Sequence, residues 1–207
     1  RARDRATRRR SEPFIWWRLG VALFLIGVVS LITWDRSISH AFAARSAAGM
    51  LEATSAGQGS EALRLVDSAI SSAPNVAVYQ IWRSEVFLAA VPNTQLDSQV
   101  PLAAEAQGSA QRALDLDPLS PTAATALVRA ESTLVRLGVD RGRELLEANQ
   151  YILDLQPSRW TAMNEFAKAY LLVEGYEDAL VWAERSLDIT EVSSFSAEAH
   201  LLVGLAL

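Results

Sequence analysis

A short cadence returns four times along this chain, and it dictates a stack of similar helical units before any other feature is weighed. Gly57 and Glu61-Ala62-Leu63 lead to Ala69-Ile70 and then Pro74. Ala106, Ala110, Ala113-Leu114, Asp115-Leu116-Asp117 and Pro118 repeat the pattern, and Leu145, Ile152-Leu153, Asp154-Leu155 and Pro157 give a third copy. A fourth runs from Gly175-Tyr176-Glu177-Asp178-Ala179-Leu180 through Ala183 and Ser186-Leu187 to Asp188-Ile189, with Glu191 where a proline would stand. A small side chain at a helix crossing lets two axes approach the lower packing limit of about 8 Å. Proline then ends the helix, having no N–H and crowding the preceding turn. The intervening stretches are rich in Ala and Leu and show no sustained alternation of β-branched residues, so a sheet is not expected. Self-similarity of this kind marks a solenoid.

The stretches QRALDLDP (111–118), NQYILDLQP (149–157) and GYEDALVWAERSLDI (175–189) resemble the second helices of the tetratricopeptide (TPR) motif. The resemblance covers roughly residues 40–207. It implies an all-α solenoid of antiparallel helix pairs, about four repeats plus the start of a fifth. In its terms Ala62, Ala106 and Ala179 match the central small position, from which Leu145 departs. Ala69, Ala113 and Ser186 match the second small position, from which Ile152 departs. Trp160, Met163, Asn164 and Ala167 fit one first helix, and Tyr79, Trp82 and Val86 another. The spacing is uneven: Pro74 to Pro118 is 44 residues and Pro118 to Pro157 is 39, against about 34 for an ideal repeat. The excess predicts an inserted loop over Val91–Pro101 and a second insertion around Leu137–Arg143. Residues 197–207 resemble the opening of a further first helix with Gly204 at its small position, and Arg1 is not a methionine. The chain is therefore expected to continue beyond both ends.

Ahead of the repeats, Phe14–Trp34 reads FIWWRLGVALFLIGVVSLITW with Arg18 as its one charge. A helix of this length spans about 30 Å, the thickness of a bilayer's hydrocarbon core. Arg18 can snorkel to the headgroups, and Trp16, Trp17 and Trp34 sit where an interfacial aromatic belt belongs. Ala41-Phe42-Ala43 resembles a signal-peptidase site, but the apolar run is longer than a signal core and Asp35 and Arg36 intervene. The reading is a basic cytoplasmic segment (1–13), a transmembrane helix (14–34) and a helical repeat domain (35–207). Residues 1–18 hold seven Arg against Asp4 and Glu12, so the positive-inside rule places the repeats on the exported face of a bacterial inner membrane.

The overall formal charge is −5, so everything after Arg18 carries −10. Such an acidic body speaks against nucleic acid as a partner. There is no Cys, which excludes disulfides and thiolate metal sites. His40 and His200 lack metal-ligand neighbours at helical spacing. Gly57-Gln58-Gly59-Ser60 lacks the Lys of a phosphate loop, and reads instead as a helix start with Ser60 as N-cap and Glu61 in the first turn. Asp115 and Asp117 sit at a helix end, and Glu144 and Glu147, beside Arg141 and Arg143, read as a solvated face. No catalytic set, cofactor or metal is implied. The resemblance instead implies binding of a protein or peptide on a concave face lined by first helices, with Gln80, Ser84, Glu165 and Lys168 turned inward; from the acidity of the body the groove is expected to be acidic and so to favour a basic or polar peptide. An alternative is the carboxyl-terminal TPR region of an O-antigen ligase or polymerase-like membrane glycosyltransferase. Pro118-Leu119-Ser120-Pro121 and Arg159–Glu165 look like such tails, whose catalytic residues would lie upstream.

Overall fold

The computed structural model describes residues 41–189 and 193–207. The segments 1–13 and 14–34 lie outside them, and no helix of the described residues is long and apolar enough to cross a membrane. Helix follows helix, with no strand among the described residues: residues 41–55 (α1), Gly59–Ser72 (α2), Ala77–Ala90 (α3), Leu96–Leu116 (α4), Pro121–Arg136 (α5), Gly142–Leu155 (α6), Trp160–Leu172 (α7), Tyr176–Ile189 (α8) and Ser193–Ala206 (α9). Odd-numbered helices are the first members of each pair and even-numbered ones the second.

The proline cadence has a common local geometry. Pro74, Pro118 and Pro157 each lie two residues past a second helix, and the residue before each is held out of the helical region, as a following proline requires. Ala73, Asp117 and Gln156 share φ near −140° (−144, −139 and −141) with ψ of 75, 82 and 66. Each turns its N–H back to the carbonyl of the second small position, respectively Ala69, Ala113 and Ile152. The chain thus leaves three second helices in one direction and starts the next pair alike.

First helices end differently. Gln58, Val139 and Gly175 donate their N–H groups to Ala53, Leu134 and Tyr170, at 2.8, 3.0 and 2.8 Å. Each bond spans a left-handed residue, as in a Schellman cap. Gly57 (φ 71) and Gly138 (φ 82) adopt that conformation freely, but the third is Glu174 (φ 61), whose Cβ strains it. Glu174→Gly is expected to stabilise the protein by about 0.5–1 kcal/mol, raising Tm by a few degrees, once the extra unfolded-state entropy of glycine is offset. An unchanged or lowered Tm would count against this account of the α7–α8 turn.

All the small positions are buried: Ala62, Ala69, Ala106, Ala113, Ala179 and Ser186 are each no more than 1% exposed. The departures fit as well, because Leu145 and Ile152 join a core in which the facing first helix, α5, supplies Ala123, Ala124 and Ala126. The large side chains of α6 fill the volume that alanines on α5 leave. Further cores are shared between neighbouring pairs, such as Met50, Ala62, Val66 and Val86 across α1, α2 and α3.

Two local expectations need correction. The insertion over Val91–Pro101 is not a loop but a 3-10 turn, Val91–Asn93, followed by the opening turns of an extended α4 of 21 residues, against 14 in α2 and α6. Pro101 lies inside that helix near its start, where it removes only one intrahelical bond. Ser60 is not an N-cap: Gln58 holds the cap position of α2 and no side chain caps it, because the Schellman turn at Gly57 feeds straight into the helix. The second insertion lies where the spacing placed it, since α5 runs to 16 residues and residues 137–141 link it to α6.

Candidate partner-binding surface

Successive first helices touch, α3 with α5, α5 with α7 and α7 with α9, whereas no pair of second helices makes comparable contact. Closer approach on one side of a stack makes that side the inner one, so the first helices line the concave wall.

Across this wall runs a set of charges in equivalent places. Glu85, Arg129 and Lys168 are spaced 44 and 39 residues apart, the same intervals as the prolines, and so occupy one level of α3, α5 and α7. Arg129 donates to Glu85 at 2.6 Å, tying α5 to α3. Lys168 pairs with Glu165 on its own helix at 2.8 Å and with Glu198 of α9. Asn164, fully buried, adds a 3.1 Å bond to the same Glu198 carboxylate.

Of the predicted groove residues, Glu165 and Lys168 lie on this wall half-exposed. Gln80 and Ser84 do not: they are 7% and 0% exposed, covered by neighbouring helices, and Gln80 Oε1 and Ser84 Oγ have no hydrogen-bond partner. Their equivalents one pair later, Ala124 and Val128, are core residues, which explains the burial. Glu85 and Arg129 are the wall residues that sequence reading overlooked. The signal that finds them is recurrence of charge at the proline intervals.

The Lys168–Glu198 contact makes the seat of α9 sensitive to acid. Hydrogen bonding from Lys168 holds the Glu198 carboxyl below the ordinary 4.5; burial opposes this and Asn164 assists it. Burial of Lys168 disfavours its charged form, but the bonds to Glu165 and Glu198 outweigh that and raise it above its ordinary value. A carboxyl lowered in the folded state contributes stability above its unfolded value, and that contribution is lost as pH falls through the folded value. Amides of α9 are therefore expected to lose hydrogen-exchange protection, relative to α5, as pH drops below the ordinary 4.5 of a free glutamate. Glu198→Gln should remove that pH dependence; a persistent acid response in the variant would assign it elsewhere.

Between α5 and α7 the wall is open. That contact is the thinnest of the three, and no ion pair among the described residues spans it. A cleft of about 320 Å³ lies there, floored by Val128, Ile152 and Ala162 and edged by Arg129, Arg159 and Glu165. A second, more polar space of about 370 Å³ shares Arg129 and Glu165 with it and extends past Ser132 to Arg136. Arg136 has no carboxylate partner among the described residues, and Arg159 meets only Gln156, at 2.7 Å. The acidic groove expected from net charge is thus not what the wall presents: its carboxylates Glu85 and Glu165 are already paired, and the cations left over are arginines. Among the described residues no group of three or more His, Asp or Glu is placed to hold a metal ion.

No family model and no curated protein matches the chain. Solved structures do. MamA superposes with a TM-score of 0.60 at 16% identity over 83% of this chain and 80% of that one. A thermophilic TPR protein of Thermus thermophilus gives 0.58 at 14%, over 77% and 80%. The first TPR of Spaghetti (RPAP3), solved bound to an HSP90 peptide, gives 0.52 at 16%, over 65% and 98%. At such identities the likeness is one of fold, and it agrees with the helix pairing, the small positions and the proline ends: the described residues form a TPR-like α-solenoid.

Proposed function

We propose that this chain is a membrane-anchored TPR scaffold that holds a protein or peptide on its concave face, on the exported side of the membrane. The observation that carries the binding part is the open stretch of inner wall between α5 and α7, with an apolar floor and an edge, Arg159, that has no carboxylate partner among the described residues. Anchoring and orientation rest on the sequence of Phe14–Trp34 and the arginines before it.

Both parts can be tested on the full chain in its native host. A photo-crosslinking residue at Ser132, on the wall, is expected to yield a discrete adduct that the same residue at Glu147 on α6 does not. Thr125→Trp, which fills the cleft, should abolish it. Adducts from Glu147 alone would move the binding surface to the other face. Because the chain has no cysteine, a single Asp154→Cys reports without background. It should react with a membrane-impermeant maleimide applied from outside the inner membrane, and labelling only after lysis would reverse the orientation.

A second reading, the carboxyl-terminal region of a polytopic O-antigen ligase or polymerase-like glycosyltransferase, is favoured by the order of elements: arginines, an apolar span, then repeats. Pro118-Leu119-Ser120-Pro121 adds little to it. Pro118 follows the end of α4, Ser120 caps α5 by accepting from the Ala123 N–H at 3.3 Å, and Pro121 takes the first helical position. Ordinary helix punctuation accounts for the run. Ten or so further apolar spans encoded upstream of Arg1 would decide for the ligase-like protein, and an initiator codon immediately before it for the free scaffold.

A further inference from the structure

We infer that one edge of the stack, made by the start of α1 and the α2–α3 and α4–α5 turns, rests on the bilayer surface, with Phe42, Val78, Leu116 and Leu119 as its lipid contacts. The inference rests on the anchored reading and gives the repeat domain a membrane contact of its own.

Three observations lead to it. The first is length. Only residues 35–40 separate Trp34, at the end of the apolar span, from the start of α1. Even fully extended they reach no more than about 25 Å, so the beginning of α1 stays close to the surface from which that span would emerge. The second is which residues share that edge. Helices of a pair run antiparallel, so α1 starts where α2 ends and α3 begins: Ala43 and Ala47 pack with Ala69, Ala73 and Tyr79. Arg83 donates to Ser109 at 2.9 Å, at matching heights on α3 and α4, which sets the α4–α5 turn alongside. The third is composition. Phe42 and Leu119 are 61% and 77% exposed, and Val78 and Leu116 38% and 40%. Leu119 follows Pro118 at the tip of its turn, a place that the other two turns fill with Asn75 and Ser158. So exposed a leucine adds little to the packing of the fold. Charge is sparse beside it: residues 69–80 carry none, and residues 113–124 only Asp115 and Asp117. The opposite edge also exposes a large apolar side chain, Leu96, but Glu174, Glu177 and Asp178 crowd one of its turns. It also lies a helix length, about 22 Å, farther along α1 from the anchor. Apolar side chains can enter the interface while neighbouring charges stay among the headgroups. Asp115 and Asp117 select the lipid, because an anionic surface repels them and a zwitterionic one does not.

The test uses the full chain reconstituted in phosphatidylcholine vesicles, some of whose lipids carry a nitroxide near the top of the acyl chain. With no native cysteine, single replacements can each hold one environment-sensitive fluorophore. The probe at Leu119→Cys is expected to shift to the blue and lose most of its emission to the nitroxide. The same probe at Asp140→Cys, in the α5–α6 turn on the opposite edge, should keep its emission. A reporter at Asn75→Cys, in the α2–α3 turn, should also be quenched, and adding Leu119→Glu should remove most of that quenching. Position 119 is exposed, so an unchanged Tm is expected and separates loss of contact from loss of fold. Replacing part of the phosphatidylcholine with phosphatidylglycerol should weaken the quenching at both edge positions. Equal quenching at positions 119 and 140, or indifference of the Asn75→Cys reporter to Leu119→Glu, overturns the inference. Flotation of the unlabelled chain with the vesicles reports the anchor separately. If the chain floats and the probe at position 119 stays unquenched, the edge contact fails and the anchored scaffold stands. If the chain does not float, both fall.

Discussion

Replacing Arg141 with methionine is expected to destabilise the repeat domain by about 3 kcal/mol, the largest effect of any single surface-reaching side chain in it. Arg141 reaches back across the α5–α6 turn to Glu131, donating from Nε at 2.6 Å and from a terminal nitrogen at 2.7 Å. The Glu131 side chain is only 3% exposed and that of Arg141 30%. A carboxylate left so deeply buried without its bidentate partner bears its whole desolvation penalty. The loss is set by the stranded charge and not by the net worth of the pair. The double variant Glu131→Leu/Arg141→Met removes both charges and should recover most of it, to within about 1 kcal/mol of the parent. Thermal unfolding followed by circular dichroism distinguishes the two, since a 3 kcal/mol change moves Tm by roughly 6–12 °C in a domain of this size. If the double variant is as unstable as the single one, the loss does not come from a stranded Glu131 carboxylate.

Leu145→Ala is expected to cost nearly as much, about 3 kcal/mol. Its TPR resemblance calls for a small residue here, so alanine would be the conventional choice. The structure argues the opposite. Leu145 is fully buried, in a core that also contains Ala124, Leu127, Val128 and Ile152. Truncation removes its transfer energy and leaves a cavity that alanine-rich α5 has no bulk to fill. Leu145→Met, which keeps the volume, should cost under about 1.5 kcal/mol. The opposite error belongs in the preceding pair, where Ala106→Leu would overpack a site with no exposure, at about 1–3 kcal/mol. Should Leu145→Ala prove neutral, the exchange of large for small across α5 and α6 is not what fills this repeat.

The helix ends were legible in the sequence because proline acts locally. The backbone before Pro74, Pro118 and Pro157 follows from one steric clash, whatever lies around it. The small positions were legible for a related reason: close helix approach admits few side chains. What the sequence concealed depends on contacts far along the chain. Arg141 reads as one more charge beside Glu144 and Glu147, yet only Arg143 stays with them, at 3.9 and 3.7 Å, while Arg141 turns to Glu131. Gln80 and Ser84 read as polar and hence exposed. In a solenoid, though, a first helix is covered by its own partner and by the pairs before and after it, so little of its circumference stays open. Polarity alone does not mark that strip; recurrence does, as Glu85, Arg129 and Lys168 show. Pro92 and Pro101 misled in the other direction, since a proline near a helix start permits the helix as readily as a loop.

Because each pair leans only on its immediate neighbours, the molecule has no single keystone. Small tilts between adjoining pairs accumulate along the stack, as in a coil spring, so the mouth at α5–α7 widens or narrows when the array is bent as a whole. A load applied at either end is therefore felt at the middle as a change of gape, without any bond in the cleft being touched.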